Sequence, residues 1–325
     1  MRWAATGSLD SSMPRLWQIT VDSVKKKEDG LKLPVAMASL LNGQHRLVSD
    51  AKNVAVFTWG HPANRRRRLR ALCRAMHFQI RGRILHKPTL AQLGGQSKIL
   101  AILHRTSSAK VLYANPPDYR EMLVWQHALG PGDIFIDVGS NVGVYAIWAA
   151  EKGAHVVALE PAQDTYQLLI DNINLNQYDI DAINAAAGPA CGTTRFTSGQ
   201  DSANHFDPGG TIEIPVVALD SIIGDRTIAG LKIDVEGFEL DVLRGCPDAL
   251  SQNRILLIQL EWNSTSVSAL GTDRHPLANL LSAYGYGLYR PAGNGALVPL
   301  ADLNFGSDVF ARPHASSTDD DGCSR

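Results

Sequence analysis

The sequence predicts an α/β fold: a mostly parallel sheet with helices on both faces. Three observations carry this. Short β-branched apolar runs recur along the second half of the chain, and segments of helical length and periodicity separate them. One stretch, Gly132 to Pro161, reads strand, glycine-bounded turn, helix, strand, which is a βαβ unit. Several of the runs end on an acid, as strands do where a parallel sheet presents a ligand crevice at its carboxyl edge.

The βαβ unit organises the rest. Ile134, Phe135, Ile136 and Val138 form the first strand, which reaches Asp137 and enters the turn Gly139-Ser140-Asn141-Val142-Gly143. Val144, Ile147 and Trp148 mark the helix, Ala146, Ala149 and Ala150 let it approach the sheet, and Gly153 ends it. The second strand, His155 to Leu159, closes on Glu160-Pro161. A carboxylate about twenty residues beyond the turn is placed to accept hydrogen bonds from a ribose. A dinucleotide site requires G-x-G-x-x-G, but Asn141 and Val144 occupy the second and third glycine positions. No Gly-Lys-Ser/Thr follows either, so a phosphate cradle is not predicted. A ligand with ribose and no phosphate fits better, and S-adenosylmethionine is the commonest of these.

Asp137-Val138-Gly139-Ser140-Asn141-Val142-Gly143 with Glu160-Pro161 resembles the cofactor motif of class I S-adenosylmethionine-dependent methyltransferases. Downstream, Leu219-Asp220-Ser221 and Lys232-Ile233-Asp234-Val235-Glu236-Gly237-Phe238-Glu239 resemble the FkbM-type family within that class. The likeness runs from about Tyr119 to about Pro313, and more weakly back to about His61. It implies a Rossmann-like fold with a seven-stranded sheet. It also implies cofactor contacts at Asp137, Gly139, Ser140, Asn141, Gly143, Glu160 and Asp234, with Glu121 at the amino group and Asn184 and Ala185 at the adenine.

Four segments are expected: an extension over 1–60, a basic helical and short-strand region over 61–118, the methyltransferase domain over 119–314, and a disordered acidic tail over 315–325. Arg65 to Arg83 reads as an amphipathic helix capped by Asn64, with Leu69, Leu72, Cys73, Met76 and Ile80 turned inward. Its arginine face is expected to be solvated. The sharper alternative, a surface for nucleic acid or an anionic membrane, lacks interleaved aromatics. Ile99 to Leu103 and Lys110 to Tyr113 read as a hairpin turning at Thr106-Ser107-Ser108.

Charge divides the chain. Before Val111 there are 20 Lys and Arg against 5 Asp and Glu; from Val111 onward, 11 against 27. The four cysteines are scattered without a C-x-x-C pair, so reduced thiols in a cytoplasmic protein are expected. Met1 to Asp10 lack the apolar core of a secretory signal, and no apolar run has the length of a membrane helix.

Chemistry is expected where the fourth and fifth strands end. Leu231 to Val235 carries Asp234 and leads to Glu236, and Ile255 to Leu260 leads to Glu261. These three acids are the candidate catalytic groups, as base or acceptor-orienting residues, with Asp234 ranked first. Lys232 is expected to point to the far face. His205 and His275 sit in loops near the same rim, more often a solvated position than a catalytic one. No metal is expected, because no sequence cluster has ligand spacing.

The expected reaction is methyl transfer to a hydroxyl of a sugar, polysaccharide or secondary metabolite. Oxygen as acceptor follows from the resemblance, and D-V-E-G stands where amine methylators carry N/D-P-P-Y/F. The alternatives are an NAD-dependent oxidoreductase and a non-catalytic protein that binds nucleic acid or membrane through the arginine helix. No specific nucleic-acid partner is expected.

Overall fold

The computed structural model describes residues 51–103, 105–196, 212–262 and 273–314. Contacts divide the chain after Asn53, and the sheets, the helices named below and the candidate site all belong to the unit that begins at Val54. The expectations for the first fifty residues, for the loop with His205 and for the tail lie outside the described residues.

The framework is a sheet of eight strands in which β3 (Ile134–Val138) is the third from one edge. On one side it pairs in parallel with β4 (His155–Leu159), and β4 with β5 (Ile180–Ile183). On the other it pairs in parallel with β9 (Gly230–Ile233), and β9 with β10 (Ile258–Leu260). The strand order therefore reverses between β3 and β9, which opens a crevice at their carboxyl ends. Beyond β10 lie the antiparallel β13 (Val309–Pro313), β11 (Tyr286–Pro291) and β12 (Leu297–Pro299). Seven strands were expected, and the described residues form eight. The additional one, β12, is three residues ending on a proline, too short to show a period.

β3 has both faces buried, because alternate residues feed two cores. Phe135 joins one with Met122, Trp125, Ile147 and Leu169; Ile136 and Val138 join the other with Ile233, Val242 and Leu281. The helices follow that division. α3 (Tyr119–Ala128), α4 (Val144–Ala150) and α5 (Gln163–Asn176) cover the first face. α6 (Leu219–Ile223), α7 (Glu239–Arg244), α8 (Pro247–Ser251) and α9 (His275–Ala283) cover the second. Helices on both faces are thus as expected. A small sheet, β6 (Ala186–Ala187), β8 (Ile212–Val217) and β7 (Gly192–Phe196), stands apart.

The front of the unit corrects three expectations. The hairpin joins β1 (Thr89–Leu93) and β2 (Ser97–Ala101), while α2 (Thr106–Tyr113) is a helix where a strand was expected. Asn172 and Asn176 on α5 fasten β2, accepting from the Leu100 and Lys98 amides at 2.8 and 2.7 Å. The arginine helix, α1, spans Arg68–Leu85 and therefore starts after three of the arginines. Its first turn has no acid, and cations there oppose the helix dipole. Asn64 does not cap it: that side chain is buried and its amide donates to the Thr58 and Tyr113 carbonyls at 2.9 and 2.8 Å.

The third correction is the direction α1 faces. Ala71, Ala75, Phe78 and Gly82 are buried, whereas Leu69, Met76 and Ile80 are exposed. Small residues permit close approach here: a Cβ on Gly82 would sit 3.0 Å from Leu103 Cβ.

Candidate active site

The turn after β3 closes over the end of β4. The Gly139 and Ser140 amides both donate to the Leu159 carbonyl, at 3.0 and 2.9 Å. Gly139 has φ +76°, and a Cβ on it would lie 2.0 Å from the Asp234 carbonyl oxygen. No side chain fits there, so the turn and the end of β9 touch backbone to backbone. Gly143 (φ +90°) and Asn141 (φ +50°) are also left-handed. Asn141 tolerates this because its side chain is anchored, accepting from the Val142 amide at 2.9 Å and the Ser107 hydroxyl at 2.8 Å.

Glu160 stands opposite the turn and is buried. Its carboxylate accepts from the Asn141 amide at 2.9 Å and the Ala162 amide at 2.9 Å. Burial nonetheless pushes it up to about 7, since those two donors offset only part of the lost hydration. Each oxygen retains acceptor capacity beyond its single amide bond. Asn184 brackets the same strand end, donating to the Glu160 and Pro161 carbonyls at 2.8 and 3.2 Å, and Ala185 beside it is buried.

A polar row crosses the centre of the sheet. Asp137, Lys232 and Gln259 are register partners on β3, β9 and β10, and all three are buried. Lys232 Nζ lies 3.7 Å from Asp137 Oδ1 and 3.0 Å from Asp234 Oδ2, and 4.6 Å from the Tyr145 ring centroid. The expectation that Lys232 points to the far face is therefore wrong. Residues two apart in a strand share a face, so Lys232 goes with Asp234. Gln259 donates to Asp308 at 2.7 Å and accepts from the Trp125 indole.

Acids outnumber cations at this rim. The nearest carboxylate oxygens of Asp234, Glu236 and Glu261 lie within 4.8 Å of one another. Asp234 and Glu236 follow β9 and Glu261 follows β10, and the group has the dimensions to hold a cation. Burial, then the neighbouring Asp234, raises Glu236 to about 7, and the same two causes push Glu261 far above the carboxylate range. Asp308 is raised to about 7, again first by burial. Asp137 is raised likewise, and its oxygens have no hydrogen-bond partner of good geometry. Glu236 is also left-handed, at φ +54°, a conformation a glutamate holds only when its surroundings impose it.

Residues 137–288, from the acid of β3 to β11, match the methyltransferase FkbM domain. The chain carries a methyltransferase FkbM domain. Hexuronic acid methyltransferase AglP of Haloferax volcanii is 27% identical over 46% of this chain and 62% of its own length. The chain thus spans about three fifths of that relative. 31-O-demethyl-FK506 methyltransferase FkbM of Streptomyces tacrolimicus is 28% identical over 47% of this chain and 78% of its own length. Among solved structures, a TehB-like methyltransferase of Corynebacterium glutamicum aligns with TM-score 0.37 and 11% identity, over 59% of this chain and 85% of its own.

The FkbM domain is of the class I S-adenosylmethionine-dependent type, and the residues around the turn fit that ligand. The turn offers backbone with no side chain at Gly139, Glu160 offers acceptors for hydroxyls, and a cation among the closely spaced carboxyls of Asp234, Glu236 and Glu261 would favour their ionised forms. Glu121 on α3 accepts from Ser307 at 3.3 Å and is raised by burial. His275 lies outside this group: its ring meets Asp273 at 2.7 Å on the surface. Sequence reading missed Tyr145 and Gln259, whose polarity was hidden among apolar runs, and Asp308, which precedes β13 rather than following a strand.

Proposed function

We propose that the FkbM domain transfers a methyl group from S-adenosylmethionine to a hydroxyl oxygen of a sugar or sugar-like small molecule. The observation that carries this reading is the contact between Gly139 and the Asp234 carbonyl. It brings the turn after β3 against the backbone that leads into Asp234 and Glu236, which supports reading the turn as the cofactor side and the acids as the acceptor side.

S-adenosylmethionine supplies an electrophilic methyl on a positively charged sulfur. Every other task falls to the chain. Glu160 would hold the ribose hydroxyls, with the Asn141 and Ala162 amides fixing its carboxylate. Asn184 and Ala185 would border the base, and Glu121 the amino group. A hydroxyl acceptor must lose its proton as the new bond forms, and a base effective near neutral pH has its pKa there. Glu236, raised to about 7, suits that role best. Asp234, tied to Lys232 at 3.0 Å, suits orientation of the acceptor, and Glu261, whose carboxyl is pushed up by burial and then by Asp234, would stand beside it as a second orienting group. The names of the two curated relatives, one acting on hexuronic acid and one at a 31-O position, support a hydroxyl-rich acceptor.

Calorimetry tests the cofactor assignment. S-adenosylhomocysteine is expected to give heat, while NAD and duplex DNA give none. Glu160→Ala should weaken S-adenosylhomocysteine by roughly a hundredfold, the loss of two charge-assisted hydrogen bonds. Heat with NAD alone would favour the oxidoreductase, and unchanged affinity in Glu160→Ala would remove the ribose role.

A further inference from the structure

The front of the unit holds a surface that methyl transfer does not use. Residues 51–117 contain nine arginines, four lysines and no Asp or Glu. On α1, Leu69, Cys73, Met76, Ile80 and Ile84 fall within about 80° of arc at 100° per residue, on the side away from the buried Ala71, Ala75, Phe78 and Gly82. They are open to solvent, the four large aliphatics at 72, 61, 53 and 69%. Arg70 and Arg81 flank the stripe on one edge and Arg83 on the other. Trp59, 44% exposed, stands beside its start with the Arg68 guanidinium 5.3 Å from its ring centroid.

We propose that this surface docks on an anionic lipid bilayer, with the aliphatic stripe entering the headgroup boundary and the arginines meeting lipid phosphates. An exposed apolar stripe bordered by arginines, with a tryptophan near one end, is what an interfacial helix presents. No helix among the described residues is long and apolar enough to cross a membrane, so the helix lies along the surface.

Charge complementarity selects this occupant over others. A second copy docked stripe to stripe would bring one acid-free basic face against another, and like charges oppose that. The acidic residues 315–325 have no large apolar side chain to cover the stripe, and the first fifty residues carry seven basic against five acidic groups. Nucleic acid would match the arginines, but aliphatic side chains gain nothing from a phosphodiester backbone, and the Trp59 ring already has a guanidinium against it.

Vesicle co-sedimentation of the full chain is the test, with phosphatidylcholine alone and with an equal mixture of phosphatidylcholine and phosphatidylglycerol. Partition onto the mixed vesicles should exceed that onto the neutral ones by about tenfold or more, and fall as salt is raised. Met76→Glu/Ile80→Glu, whose exposed positions leave the melting temperature unchanged, should abolish it. Arg70→Glu/Arg81→Glu should reduce it by about tenfold or more. The proposal is overturned by equal partition onto both vesicles, by none onto either, or by undiminished partition of the aliphatic variant. Binding of duplex DNA without binding of vesicles overturns it in favour of nucleic acid, and self-association lost in the aliphatic variant without vesicle binding does so in favour of a dimer.

Discussion

Lys232 is a fully buried ammonium among carboxylates, and its removal tests how the centre of the sheet is held. Replacing it by methionine leaves Asp137 buried without a counter-charge and Asp234 without its 3.0 Å partner. Breaking one side of a buried pair costs about 3 kcal/mol or more. Lys232→Met should therefore lower the urea midpoint, and adding Asp137→Asn should recover part of the loss. Full stability in the single variant would mean that the ammonium is not what neutralises Asp137. The acids here were legible one by one, because each follows an apolar strand. Their neutralising partner was not, although strand parity alone assigns Lys232 and Asp234 to one face.

At the scale of elements, α1 shows why a correct helix can be turned the wrong way round. Hydrophobicity singles out Leu69, Met76 and Ile80, yet the packed side is made of alanines, a glycine and Phe78. Close approach to α2 and to Leu103 selects small side chains, which carry little weight in a hydrophobic pattern. Phe78→Ala should cost about 3–5 kcal/mol in urea denaturation, whereas Leu69→Ser should stay within about 0.5 kcal/mol of the parent. Equal costs would mean that both sides of the helix are packed. The central βαβ unit was readable because three independent signals agree there: a buried strand, a glycine-bounded turn and an acid closing the next strand. The strand at β2 was read, but its partner β1 was missed and α2 was taken for a strand, because short apolar segments look alike whichever way they pair.

The whole molecule should respond to pH through its crowded acids. Glu160 and Glu236 are raised from 4.5 to about 7, burial being the larger cause in each. Below about 4.5 folded and unfolded chains are both protonated at these sites, and the shift contributes no change. As pH rises through the window from about 4.5 to about 7, the unfolded chain loses these protons first, so stability falls. The ligand-free protein should accordingly melt at a higher temperature at pH 6 than at pH 8. The difference should shrink in Glu236→Gln, and a parent that melts higher at pH 8 would contradict the assignment. The same reasoning gives a proton count for ligand binding: a cation entering this rim favours the ionised acids, so S-adenosylmethionine should release protons near neutral pH.

The contact between Gly139 and the carbonyl of Asp234 also acts as a gauge block. Because main-chain atoms meet there, side chains on the rim can be exchanged without altering the spacing between the turn and the end of β9. On the function proposed above, the acids at the rim could be varied while the backbone that would align the methyl group with its acceptor stays as it is.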